Sequence, residues 1–258
     1  MRVKVTKQTK IKGVKKYPGD IVDIDQALFN SIRTVVELPD YTAGKKNIKT
    51  PLGIVVLLSG KANVRRLQDW LRDCIKPTET SLYIVDSSNR PKFTQRIHRW
   101  LGSSAMQQFV KVVYMTKKSK WHLKKTDTVA DLYNVITPQV TERYFITLED
   151  DVIPPLNGIE ALLEKPSDAT AYALSYMSRH GGYAVSEEDV FKRIPEMRTG
   201  VAPVQAVAGG FTLWLTKAFR HIKRDRPYKG WDDWLCSKIR SEGGKIYCNF
   251  NILCEHLY

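Results

Sequence analysis

The longest uninterrupted apolar run in the chain is five residues, 54–58 (Ile-Val-Val-Leu-Leu), and it stops at Ser59-Gly60. A run without polar alternation suits a strand buried on both faces, the signature of a parallel sheet. It is far short of the roughly 20 apolar residues that span a bilayer. The same pattern recurs downstream. Residues 82–85 end at Asp86, residues 110–115 form a third apolar stretch, and residues 144–148 end at Glu149-Asp150-Asp151. Between them lie helical spacings: Val64, Leu67, Leu71 and Ile75, then Val129, Leu132, Tyr133 and Ile136. This β-α-β-α order predicts an α/β fold, a mostly parallel sheet flanked by helices. Beyond Asp151 the period is less clean, with strands expected over 171–176 and 211–215 and a helix over 234–239.

The first 38 residues read as a separate small β-rich appendage. Val3 and Val5 alternate with polar neighbours, Tyr17-Pro18-Gly19-Asp20 marks a turn before a strand over 21–24, and Asp25 is set to cap a short helix carrying Ala27, Leu28 and Ile32. So few residues bury little core alone, so the unit is expected to dock on something larger. Residues 39–51, rich in Lys with Pro and Gly, read as a linker, and residues 52–258 as the main domain. The opening twenty residues are basic without an apolar block, so no secretory leader is expected and a cytoplasmic location is. Cys74, Cys236, Cys248 and Cys254 match no zinc or redox spacing. A soft metal site of Cys248, Cys254 and His256 would lack the usual four ligands.

Charge narrows the partners. Lys and Arg number 41 against 27 Asp and Glu, a net +14, which favours a polyanion: nucleic acid, an anionic membrane surface or a phosphorylated substrate. Ten of those cations (Arg90, Lys92, Arg96, Arg99, Lys111, Lys117, Lys118, Lys120, Lys124 and Lys125) fall within residues 88–125, which hold no Asp or Glu. Phe93, Trp100, Tyr114 and Trp121 are interleaved with them. Basic residues neutralise phosphates and aromatics stack on bases; a solvated face with core aromatics gives the same pattern. Arg220, Lys223, Arg224, Arg226 and Lys229 form a second cluster.

In an open parallel sheet, ligands bind beyond the carboxyl ends of the strands. Three polar clusters fall there: Ser59-Gly60-Lys61, Asp86-Ser87-Ser88-Asn89 and Glu149-Asp150-Asp151. Three adjacent carboxylates repel one another, and a hard divalent cation such as magnesium or manganese relieves that cost. An acidic solvent-facing turn is the plainer reading. Asp86 suits either a turn or a carboxylate accepting hydrogen bonds from a base or ribose. Asp232 and Asp233, in Gly230-Trp231-Asp232-Asp233-Trp234-Leu235, suit either a helix cap or a general base.

These blocks together resemble the nucleotide-sugar glycosyltransferases of the GT-A fold, the family 2-like group in particular. Residues 54–59 are similar to their first strand. Tyr83-Ile84-Val85-Asp86 is similar to the second, whose terminal Asp holds the nucleotide. Phe145-Ile146-Thr147-Leu148-Glu149-Asp150-Asp151 is similar to the DXD-bearing strand, with Glu in first position. Asp232-Asp233-Trp234 resembles the Glu-Asp helix, and Cys254-Glu255-His256 the late histidine. The resemblance implies a metal-dependent transferase. Ser59, Asp86, Glu149 and Asp150 would contact the donor, a UDP-sugar being favoured. Asp151 would ligate Mn2+ or Mg2+, with His256. Asp233, beside Asp232, would deprotonate the acceptor hydroxyl if the reaction inverts the anomeric centre.

Residues 1–38 resemble a small module of tailed-phage proteins. With the basic charge, this implies a phage enzyme that glycosylates a hydroxymethylated pyrimidine in DNA, gripped by Arg90, Lys92, Arg96, Arg99, Lys117, Lys118, Lys120, Lys124 and Lys125. A surface polysaccharide, a lipid-linked sugar or a protein is the alternative acceptor. A non-catalytic DNA-binding or virion-associated module with a degenerate transferase fold is the alternative of another class.

Overall fold

A computed structural model describes short backbone segments before residue 38 and, from residue 51 on, all residues except 61–63, 89, 118–124, 179–181, 188–192, 195–197, 220–221, 223–229 and 258; side chains at 125–128 and 193–194 also fall outside the description. The chain divides into two compact units, Met1–Ile48 and Lys49–Tyr258. In the first, strands β1 (Arg2–Val5), β4 (Ile21–Asp23) and β5 (Val36–Glu37) form an antiparallel sheet in the order β4-β1-β5, and β2 (Thr9–Ile11) pairs with β3 (Val14–Lys16). The expected turn at 17–20, the helix after Asp25 and all but the last residue of the linker lie outside the described residues.

The second unit carries the expected α/β architecture. Its strands are β6 (Leu52–Leu58), β7 (Thr80–Asp86), β8 (Lys111–Thr116), β9 (Tyr144–Glu149), β10 (Val152–Ile153), β11 (Ala169–Tyr176), β12 (Tyr183–Ser186), β13 (Arg193–Ile194), β14 (Val201–Pro203), β15 (Ala206–Val207), β16 (Phe211–Leu215) and β17 (Lys245–His256). The helices are α1 (Val64–Asp73), α2 (Pro91–Leu101), α3 (Lys125–Ile136), α4 (Gly158–Leu163) and α5 (Trp231–Ser241). Nine strands make the main sheet, in the order β10-β17-β11-β16-β9-β6-β7-β8 with β14 on β17, and β13-β12-β15 form a small second sheet. Strands β9, β6, β7 and β8 run parallel; β16 lies antiparallel between β9 and β11, and β11 pairs with β17 in parallel.

Successive side chains of a strand point to opposite faces, and the central strands supply two cores in this way. Ile54, Val56, Leu58, Leu82, Ile84, Ile146 and Leu148 join Val64, Leu67, Trp70 and Leu71 of α1, Ile97 of α2 and Ile159 and Leu162 of α4. Val55, Leu57, Tyr83, Val85 and Phe145 join Leu132, Tyr133 and Ile136 of α3 and Trp231, Leu235 and Ile239 of α5 on the other face. The unbroken apolar run of β6 is therefore explained by burial on both sides. Trp70 seals the α1 face that the spacing assigned to Ile75, because the helix ends at Asp73. No helix among the described residues is long and apolar enough to cross a membrane.

Candidate active site

The parallel register fixes which side chains meet at the carboxyl end of the sheet. Leu57 of β6 stands opposite Glu149 of β9, and Leu58 opposite Asp86 of β7. The antiparallel strand β16 starts at that same end, where the Glu149 N–H donates to the Gly210 carbonyl over 3.0 Å. Gly209 is in contact range of Trp231, the first residue of α5. The carboxylates at residues 86, 149, 150, 151 and 232 are thus gathered at one edge by topology.

Asp86 is buried and held from three sides. It accepts from the Ser88 N–H at 2.8 Å, the Thr94 hydroxyl at 2.8 Å and the Tyr114 hydroxyl at 3.2 Å. The Ser88 bond is an Asx-turn, so the turn-forming role is realised here, in a carboxylate that also faces α2. Burial, then the Asp86 charge, raises the Tyr114 phenol well above its ordinary pKa, so it remains a donor.

The acidic triplet splits three ways because β9 ends at Glu149 and the chain turns there. Asp150 points to the β6 loop. It accepts from the Ser59 N–H at 2.8 Å, the Ser59 hydroxyl at 3.0 Å and the Gly60 N–H at 3.2 Å. Gly60 adopts φ +73°, which L side chains rarely do. Burial pushes the Asp150 carboxyl up, and the Ser59 and Gly60 donors oppose that shift. Ser59 and Asp150, both expected to touch a donor, hold each other. Arg90, expected on a nucleic-acid face, donates to the Gly60 carbonyl over 2.9 Å and so belongs to this loop.

Asp151 meets His256. The β10–β17 ladder sets Val152 opposite His256, and the Asp151 Oδ2 lies 3.6 Å from the His256 Nε2. The His256 Nδ1 lies 3.1 Å from the Met177 carbonyl, which can only accept, so Nδ1 carries a proton. In that tautomer the Nε2 lone pair faces the Asp151 carboxylate. That chemistry fits a divalent metal, with a carboxylate oxygen and an imidazole nitrogen converging and the outer nitrogen fixed by a carbonyl. No group of three or more His, Cys, Asp or Glu suited to a metal exists among the described residues. Two protein ligands suit Mg2+- or Mn2+-type sites completed by water and substrate phosphates. All four cysteines are buried free thiols.

The last group surrounds Tyr176. Burial, and then the charges of Glu149, Asp232 and Asp151, raise its phenol far above the ordinary range; burial, Glu149 and Asp232 do the same to Tyr133. These carboxylates therefore share one neighbourhood. Asp232 and Asp233 occupy the first turn of α5, where the helix dipole favours anions. Asp233 is only 3% exposed, whereas Asp232 is half-buried. Burial, opposed by backbone donors and aided by the Asp233 charge, raises Asp232 to about 6.

Two glycines keep this packing open. A Cβ on Gly209 would lie 2.2 Å from two Trp231 ring atoms, and one on Gly210 would lie 2.5 Å from the Tyr176 hydroxyl. Trp231 is wedged against Tyr133 with ring centroids 4.4 Å apart. It cannot give way without moving the start of α5. Gly209→Ala is expected to cost about 1–3 kcal/mol of stability by overpacking and to displace Asp232; thermal unfolding with turnover measured in parallel checks it.

The basic stretch divides. Lys92, Arg96 and Arg99 are exposed on α2 at helical spacing, a single stripe. Lys117 donates to the Asp131 carbonyl at 3.2 Å, and Lys111 reaches the Tyr83 hydroxyl and the Gln139 carbonyl at 3.3 Å. Lys118, Lys120, Lys124, Trp121 and four of the second cluster (Lys223, Arg224, Arg226, Lys229), with Arg220, lie outside the described residues, as does the Lys125 side chain. Phe93, Trp100 and Tyr114 are partly buried and pack against the core. The sequence placed Tyr133 on a helix and Tyr176 at a strand end without giving either a place at the site, and Gly209-Gly210 went unmarked. The glycine pair directly ahead of a strand was the available signal.

A layered α/β domain with carboxylates at the carboxyl ends of its parallel strands belongs to the class that binds ligands at that edge. No protein-family model matches the chain, and no curated protein does. Solved structures match in fold. The mannosyltransferase PcManGT from Pyrobaculum calidifontis, in complex with GDP-Man and Mn2+, is 11% identical with a TM-score of 0.55, over 80% of this chain and 56% of that one. TarS 1-349 from S. aureus, in complex with UDP-GlcNAc, is 13% identical with a TM-score of 0.55, over 80% and 57%. HddC from Yersinia pseudotuberculosis is 10% identical with a TM-score of 0.50, over 79% and 92%. The chain thus spans little more than half the length of the first two. The fold is GT-A, as the sequence led us to expect.

Proposed function

We propose that this protein is a metal-dependent glycosyltransferase that moves a sugar from a nucleotide-sugar, a UDP-sugar being favoured, onto a hydroxyl group with inversion. The observation that carries this reading is the Asp151 carboxylate set 3.6 Å from the His256 imidazole, one turn beyond the Glu149 end of β9 at the carboxyl edge of the parallel strands. The similarity in fold to a mannosyltransferase in complex with GDP-Man and Mn2+ supports it. Asp151 and His256 would hold Mn2+ or Mg2+, which when bound neutralises charge on the departing diphosphate. Ser59 and Asp150, locked together, and Asp86, braced by Thr94 and Tyr114, give the donor a rigid seat, with Glu149 beside it. The resemblance gives the base role to Asp233; because Asp233 is only 3% exposed and Asp232 is the more open of the pair, we assign it to Asp232. It takes the acceptor's hydroxyl proton as that oxygen bonds to the anomeric carbon. The bond from that carbon to the diphosphate breaks, and the nucleoside diphosphate leaves.

For the acceptor, the net charge and the α2 stripe favour DNA carrying hydroxymethylated pyrimidines, with the target base extruded from the duplex. The stripe of Lys92, Arg96 and Arg99 would contact backbone phosphates. Each phosphate contact contributes about 0.9 to the slope of log affinity against log salt. Replacing all three with Ala is expected to flatten that slope by roughly 2–3 units, read by fluorescence anisotropy at several salt concentrations.

The deciding experiment is a panel of nucleotide-sugars screened for Mn2+-dependent thermal stabilisation, followed by transfer onto hydroxymethylated DNA, lipid-linked sugars and polysaccharide. Absence of stabilisation by every donor rejects the transferase reading. Transfer to lipid-linked sugar alone rejects the DNA acceptor.

A further inference from the structure

The histidine that meets Asp151 lies at the end of β17, beyond a register shift against β11. Strand β17 pairs with β11 in parallel from Lys245 to Cys254, with register shifts between Ala169 and Ala171 and between Leu174 and Ser175, so that Leu253 and Cys254 pair with Ser175 and Tyr176. Its end turns to β10, where the ladder comprises only Val152↔His256 and Ile153↔Glu255, extended by the Leu257 N–H donating to the Asp151 carbonyl over 2.7 Å. The short β10 ladder, the Leu257 bond and the contact of its Nδ1 with the Met177 carbonyl all bear on where His256 stands.

A second tie comes from another layer. Arg66, in the first turn of α1, reaches Glu255 with both terminal nitrogens. Its Nη1 lies 2.9 Å from Oε1, and Nη2 bonds Oε2. The planar fork of arginine matches a carboxylate in this two-point manner and fixes orientation as well as distance. Helix α1 directly follows the Ser59-Gly60 loop that clamps Asp150.

We propose that Arg66 and Glu255 are positioning residues whose two-point clasp sets His256 against Asp151 and so tunes divalent-metal affinity. The inference rests on the metal reading given above. Neither residue is assigned contact with metal or substrate. Both are partly exposed, with side-chain exposures of 41% and 26%, and pairs of that kind contribute little to global stability. Their removal is expected to lower Tm by only about 2–4 °C.

Simple electrostatics and positioning predict opposite signs, which makes the test sharp. Deleting a cation near a metal site strengthens cation binding by charge alone. If Arg66 positions His256, Arg66→Ala weakens it. The experiment measures Mn2+ affinity of the full chain with Mn2+ alone, by EPR of the free ion, for Arg66→Ala, Glu255→Gln, the exchanged pair Arg66→Glu with Glu255→Arg, and His256→Ala. Expected are roughly tenfold losses in the two single variants, the scale usual for residues that orient a ligand, and recovery of most of the loss in the exchanged pair. Unchanged or tighter binding in folded Arg66→Ala overturns the clasp. A loss in Glu255→Gln with no loss in Arg66→Ala overturns it in favour of a direct field from Glu255, and losses in both single variants without recovery in the exchanged pair overturn the two-point clasp. If His256→Ala binds Mn2+ as the parent does, the metal site itself is wrong and the clasp falls with it.

Discussion

Asp232→Asn is expected to abolish turnover while making the protein more stable at neutral pH. A positioned general base contributes about 10²–10⁴ in rate, so turnover falls by that factor while donor binding, read by thermal shift, persists. The stability gain follows from the raised carboxyl. Unfolded, an Asp titrates near 3.9; in place it titrates at about 6. Between those values the folded chain binds the extra proton, so its stability is highest below about pH 4 and declines as pH rises through 6. Asparagine carries no such penalty. The variant should therefore exceed the parent by on the order of 1–3 kcal/mol above pH 6, with the advantage gone below pH 4. In the parent, kcat/KM should climb through an apparent pKa of about 6 and then level off. Urea unfolding at pH 4 and pH 7.5, together with a pH–rate profile, checks both halves. Should Asp233→Asn abolish turnover while Asp232→Asn retains it, the deeper carboxylate is the base.

Asp151→Ala is expected to erase the coupling between metal and donor. A donor present at 100 times its dissociation constant stabilises the folded chain by about 2.7 kcal/mol. For a chain of this size that corresponds to roughly 5–10 °C in Tm. With Mn2+ and the right nucleotide-sugar the parent should show a shift of that order, and without metal much less. The variant should show the small shift under both conditions, because the diphosphate has lost its countercharge. Asp150→Ala is the instructive contrast. Asp150 bonds to Ser59 and Gly60, so its loss should lower the Tm of the ligand-free protein while leaving a metal-dependent increment. Equal metal-dependent shifts in Asp151→Ala and the parent would move the cation elsewhere.

The α/β class was legible because burial on both faces leaves an unbroken apolar run, and β6, β7 and β9 each carry one. The strand ends were legible for the same reason: polar clusters after such runs must lie at an edge of the sheet. Individual partnerships were not. In the sequence the three carboxylates at residues 149–151 read as one cluster. The strand stops at Glu149, however, and after the turn Asp150 binds the β6 loop while Asp151 faces β17. The run of cations between residues 88 and 125 read as one surface, yet Arg90, Lys111 and Lys117 are spent on carbonyls and a phenol. Local spacing carries no record of such tertiary contacts. Arg66 gave no signal at all, since its partner lies 189 residues away.

That separation bears on how the candidate site is assembled. Ser59 and Asp150 are 91 residues apart, Arg66 and Glu255 189. Each doubling of a loop adds only about 0.6 kcal/mol of closure entropy, so the final structure bears the long connection lightly. The burden is kinetic, because non-local pairings are slow to find. Strand β17 lies between β10 and β11 and has to be captured from a great distance along the chain. Recovery of transfer activity during refolding should therefore trail the return of helical signal, and an ensemble with β6 to β9 assembled but β17 undocked would be compact, folded in most of its length and catalytically silent.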